Sequence, residues 1–172
     1  MTAFITVVAG LSRLSGVAAA GLIAAAVLVV CQMVFVRYVL GQSTAWQTEF
    51  VTYSLIAATF IGSPYVLLTR GHVNVDLLPI YLGGRARFAL ALFAAVISFL
   101  FCFVITWRAA VLWYEAYSLG WRSGTIWAVP LWIPYAAMPV GIGLLTLQYV
   151  ADIASLILGR EPPFGIHPEE NP

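Results

Sequence analysis

Glu49 is the carboxylate of this chain best placed to do chemistry. It closes the stretch Trp46-Gln47-Thr48-Glu49, directly before a charge-free run from Phe50 to Thr69. A carboxylate at the edge of a membrane span can cap its helix, pair with an arginine, contact another subunit or hold a coupling ion. In the first helical turn, Glu49 would complement the helix dipole and accept orphan amide hydrogens. Arg37 is its expected ion-pair partner across a short loop. Arg108, Glu115 and Arg122 recur every seven residues, so a helix through them sets all three on one face. That face reads either as an interfacial charge ladder, with Arg108 snorkelling to the outer headgroups, or as a docking face for a partner.

Other chemistries find little support. Cys31 and Cys102 both fall inside apolar stretches, where a thiolate is disfavoured, so they read as structural cysteines. His72 and His167 lie in a loop and in the tail, which does not suit axial haem ligation, and no metal-ligand constellation is apparent. The most polar residue near the middle of a span is the neutral Gln32, whereas ion-coupled carriers usually keep a titratable group in the transport path. No phosphate-cradling glycine loop is present to draw on ATP. No nucleophile with its base, metal cluster or redox pair can be assembled, which sets a membrane enzyme aside, and nothing points to nucleic acid.

The elements that position these residues follow from composition. Of 172 residues, 62% are hydrophobic and 9% charged, with no lysine at all, and the mean hydropathy is +0.96. A soluble domain is nearer a quarter charged. Phe50 to Thr69 is 20 residues, enough to cross the ~30 Å core of a bilayer as a helix. Leu14 to Val36, Phe88 to Trp107 and Ser123 to Ala151 are likewise uncharged. The fold class is therefore an all-α integral membrane protein with four transmembrane helices, over about 14–37, 46–69, 86–117 and 130–157. They form one compact domain over 1–160, with a Pro-rich acidic tail at 161–172. The first run follows Arg13 as in a secretory signal, but it is too long and its small residues sit at its start, so it reads as a retained helix.

Within this frame, Pro130, Pro134 and Pro139 predict that the fourth helix enters through a loop and bends near Pro139, while Gly62-Ser63-Pro64 marks a milder interruption of the second. Gly16, Ala20 and Ala24 have the spacing that lets a neighbouring helix approach closely. Between spans two and three, residues 71–82 interleave His72, Asn74 and Asp76 with Val73, Val75 and Leu77, the pattern of a segment lying along the interface. Arg13, Arg70, Arg85, Arg87 and Arg160 fall on one side of the four-span layout, which makes that side, with both termini, cytoplasmic. All six tryptophans then sit toward the opposite side, either as an aromatic belt or as a surface for another protein.

These brackets, in order, resemble a family. Arg37-Tyr38-Val39-Leu40, Trp46-Gln47-Thr48-Glu49, Gly62 and Arg70-Gly71-His72-Val73-Asn74-Val75-Asp76-Leu77-Leu78 resemble the first half of the small, DctQ-like membrane subunit of tripartite ATP-independent periplasmic (TRAP) transporters. Pro130-Leu131-Trp132-Ile133-Pro134-Tyr135 and Pro139-Val140-Gly141 resemble the Pro-x-Trp and Pro-x-Gly pattern that opens the family's last helix. The similarity covers about 120 residues of a four-span chain.

The resemblance implies a role without a catalytic site. The small subunit accompanies a large multi-span subunit that carries the solute and sodium sites, while a periplasmic protein captures the organic acid and delivers it. No cofactor is expected in the small subunit, which resides in the inner membrane and acts as a fixed scaffold. Carried over, Trp46 and Glu49 would fix the outward end of the second helix, and Arg70 to Leu78, with His72 and Asp76, would form the cytoplasmic horizontal element. Pro130, Trp132, Pro134 and Pro139 would shape the entry of the fourth helix. Arg108 and Glu115 have no counterpart in the family pattern, and their roles rest on local reasoning. A scaffold suits a chain without mid-membrane charges. The rival reading is a self-sufficient homodimeric transporter coupled through Glu49 or Glu115.

Overall fold

In hydrocarbon, every backbone N–H and C=O must be satisfied within the chain, and long apolar runs meet that demand as helices. The computed structural model, which describes residues 2–69 and 84–158, contains α1 (Thr2–Tyr38), α2 (Ala45–Leu68), α3 (Gly84–Ser118), α4 (Trp132–Tyr135) and α5 (Ala137–Ile157). Among the described residues, four stretches are long and apolar enough to cross a membrane, the last comprising α4 and α5 together. The interfacial segment 71–82, with Arg70, His72 and Asp76, and the tail lie outside the described residues. Helix α1 begins well before residue 14, because 2–12 are free of proline and mostly apolar and Arg13 sits on an exposed side of the helix.

Helix α2 runs through Pro64 without ending. Proline has no N–H for the carbonyl four residues back, Phe60, and the Ser63 hydroxyl donates to that oxygen instead at 2.8 Å. Helix α5 crosses at the same place: a Cβ on Gly141 would collide with the Phe60 carbonyl, so only glycine lets the two backbones meet there.

The break in the last span lies at Ala136, between α4 and α5, and not at Pro139. Pro139 cannot donate to the Tyr135 carbonyl, so α4 stops at Tyr135, and Pro139 falls in the first turn of α5, where a missing N–H costs nothing. Ala136 keeps helical dihedrals (φ −60, ψ −27), so the axis is interrupted only mildly.

Helix α2 packs against α1 and α5, α1 also touches α5, and the extended contacts of α3 are with α5 and α4. The arrangement is a three-helix cluster with α3 attached to its α5 side. Only 6% of the most apolar stretch of α3 is buried, against 33% for the span containing α5, which places α5 at the centre. The buried stripe of α1 is Val8, Ser12, Ser15, Ala19 and Ala26; Gly16 abuts the Tyr65 ring, but Ala20 and Ala24 are exposed. Small size permits close approach on several faces, and the serines, which need partners when buried, select the face that turns inward.

Thr106 Oγ1 and Thr146 Oγ1 lie 3.2 Å apart and fix the register of α3 against antiparallel α5. The span Trp132–Ile157 is centred between Leu144 and Leu145, level with Trp107 and Arg108 of α3. The charge-free run of α2 is centred at Thr59 and Phe60, beside Gly141, and so agrees with α5 to about 5 Å. That of α3 is centred at Ile97 and Ser98. By its uncharged run α3 is displaced along its axis by about ten residues, roughly 15 Å at 1.5 Å per residue, and by its helix centre at Phe101 by about six.

Candidate functional site

Helix α2 begins at Ala45, with no acidic residue in its first turn. Glu49 thus occupies the second turn, beyond the orphan amides, and its carboxylate projects toward the loop between α3 and α4. Thr125 Oγ1 donates to Glu49 Oε1 at 2.6 Å and Ser123 Oγ donates to Oε2 at 3.3 Å, while the two hydroxyls lie 3.0 Å apart. Both oxygens are thereby engaged by one loop, and no ion pair joins Glu49 to Arg37 among the described residues. Arg37 sits exposed in the last turn of α1, where a cation complements the negative end of the helix dipole.

The loop that reaches Glu49 is internally tied. Gly120, at φ 63, ends α3 in a Schellman turn: its N–H donates to Tyr117 O at 3.3 Å and that of Trp121 to Ala116 O at 3.0 Å. The strand-like pairing of Arg122 with Pro130 follows, with Ser123 N–H donating to Val129 O at 2.9 Å and Leu131 N–H to Trp121 O at 2.9 Å. Arg122 Nη1 reaches Ala128 O at 3.4 Å, holding a residue whose φ of 47 is unusual for alanine. Arg122 is thus spent inside the loop and does not join a ladder with Arg108 and Glu115, because α3 ends at Ser118.

Aromatic contacts tie the loop and α4 to their neighbours. Trp46 and Trp127 meet edge to face at 6.1 Å and 63°. Trp113 stacks on Tyr117 at 6.0 Å, Tyr117 meets Trp132 edge to face at 5.9 Å, and Trp113 Nε1 donates to Trp132 O at 3.1 Å. Beneath Trp127 lies an apolar cavity of about 600 Å³ bounded by Phe50, Tyr53, Ile61, Ile133, Pro134 and Val140. Four of the predicted positions, Trp46, Glu49, Pro130 and Trp132, therefore converge on one end of the molecule; Pro134 lines the cavity, and Pro139 opens α5. Arg108 and Glu115 stand exposed on α3 with no partner among the described residues. By the Thr106–Thr146 register, Arg108 lies level with Leu144 of α5.

Two polar contacts between helices were not singled out by sequence reasoning. Ser12 Oγ donates to Gln148 Oε1 at 2.8 Å, and Gln148 Nε2 donates to Asp152 Oδ1 at 2.8 Å, joining α1 to α5 near the end that carries both chain termini. Gln47, only 2% exposed, donates through Nε2 to Gln32 Oε1 at 3.4 Å between α1 and α2. Gln148 and Asp152 are four residues apart and so share a helical face, a signal the sequence contained. These pairs hold helices together; neither presents a nucleophile or base to a cavity.

The model of the DctQ component family of tripartite ATP-independent periplasmic transporters matches residues 26–159, which takes in α2 to α5 and the later part of α1. The chain is similar to the C4-dicarboxylate TRAP transporter small permease protein DctQ of Vibrio cholerae serotype O1, 24% identical over 148 residues. That match covers 74% of this chain and 64% of the Vibrio protein's length.

Proposed function

The chain belongs to the DctQ component family of TRAP transporters, and on that premise we propose that it is the static membrane scaffold of a sodium-coupled, binding-protein-dependent importer of organic acids. It is a multi-pass inner-membrane protein and a transport component. In this reading it associates with a large membrane subunit that binds solute and sodium, a periplasmic protein delivers the solute, and both chain termini face the cytoplasm. The Vibrio relative's name specifies C4-dicarboxylates; here the solute class is taken only as far as organic acids, because specificity would reside in the other components.

One observation carries the proposal: Glu49, one of the two carboxylates on which a lone carrier could rely, is engaged by Ser123 and Thr125 of the same chain. A group so engaged braces α2 against the loop, with two of its roughly four acceptor sites filled by hydroxyls of its own chain. A neighbour that slides through the bilayer needs a companion that resists being dragged, and long apolar helices with aromatic anchors resist tilt.

The test is purification in mild detergent after co-expression with the large subunit. The scaffold reading expects the two chains to elute together and uptake to require both. A large subunit that transports at full rate while this chain purifies alone would contradict it.

A further inference from the structure

Arg108 is exposed on α3, has no partner among the described residues, and by register lies level with the centre of the span formed by α4 and α5. Half of the ~30 Å hydrocarbon core is ~15 Å, farther than an arginine side chain reaches by snorkelling. Glu115, two turns nearer the loop end and equally exposed, shares its flank. An arginine at that depth faces protein or water and not hydrocarbon.

From these observations we infer that the α3 stripe through Ile97, Phe101, Val104, Arg108, Val111 and Glu115 seats a membrane-spanning helix of the large subunit, one that carries a carboxylate opposite Arg108 and a donor opposite Glu115. The inference rests on the scaffold reading given above and specifies where the partner docks. The six residues fall within an arc of ~80° at 100° per residue, and the four apolar ones are 38–65% exposed. A second copy of this chain does not fit. Two copies in one bilayer, related by a two-fold axis along its normal, would set Arg108 against Arg108 and Glu115 against Glu115, pairing like charges at equal depth. The face of α3 toward α5 is already occupied by Ala91, Cys102, Ala109 and Ala116.

The experiment places a photo-crosslinking amino acid at Val104 or Val111, with Val17 and Leu28 of α1 as exposed controls, in cells co-expressing the large subunit. Adducts with the large subunit are expected from the α3 positions and not from the controls. In the same membranes, Arg108→Glu should lower co-purified large subunit at least tenfold, whereas Arg108→Lys should stay within twofold of the parent. Because Arg108 makes no hydrogen bond or ion pair within the described chain, Arg108→Glu purified alone should melt like the parent, which separates lost docking from lost folding.

Adducts only with lipid, only with a second copy of this chain, or equally from α1 would overturn the inference. So would unchanged co-purification of Arg108→Glu. If the parent chain fails to retain the large subunit at all, the scaffold reading falls; if it does retain it but the adducts map to α1, only the docking face falls.

Discussion

Thr125 Oγ1 at 2.6 Å and Ser123 Oγ at 3.3 Å give Glu49 its environment, and they lie more than seventy positions further along the chain. Composition made Glu49 conspicuous, since it is the acidic residue at the mouth of a span, but the serine and threonine that receive it are unremarkable in a loop. Arg37, nearest in sequence, was the natural expectation; the tertiary path of the loop decided otherwise. Replacing Glu49 by Ala removes these hydrogen bonds and should cost about 1 kcal/mol, read as a modest fall in the thermal midpoint in detergent. Solute preference should not change, and a switch in preference would place Glu49 in the transport path. Ser12 and Gln148 make a second residue-scale case. Gln148→Leu should destabilise by about 1 kcal/mol, and adding Ser12→Ala should cost almost nothing more, because the pair acts as a unit. Additive losses in that double-mutant cycle would show that the two side chains act separately.

At the scale of elements, the spans were legible because uncharged length is what a bilayer selects: the predicted 46–69 and 86–117 correspond to Ala45–Leu68 and Gly84–Ser118. Which face of a span turns inward was less legible. An almost uniformly apolar helix has no strong polar side to orient it, so Ala20 and Ala24 could not be distinguished from Ala19 and Ala26, which are the buried ones. The displacement of α3 was invisible for a related reason: its uncharged run says how much of it can sit in lipid, while Thr106 and Thr146 say where it sits beside α5. Proline chemistry was half legible. Pro64 and Pro139 both free a carbonyl, but only the folded chain shows the Ser63 hydroxyl taking one of them and Gly141 crossing there. Gly141→Val should force α2 and α5 apart and cost about 1–3 kcal/mol, measured as a lowered thermal midpoint. An unchanged midpoint would mean that the two backbones do not meet at Phe60.

For the whole molecule, three long spans present most of their apolar surface outward and α3 hangs on α5, so the chain has far more surface to offer than core to protect. Glu49 ties α2 to the loop between α3 and α4, while Ser12 with Gln148 and Thr106 with Thr146 join neighbouring helices, which suits a brace. The central claim is that this chain supports transport without performing it. Reconstitution into vesicles with an inward sodium gradient tests it most directly. The chain alone should show no organic acid uptake above empty vesicles, and uptake should appear once the large subunit and the loaded binding protein are added; gradient-dependent uptake by the chain alone would contradict the account.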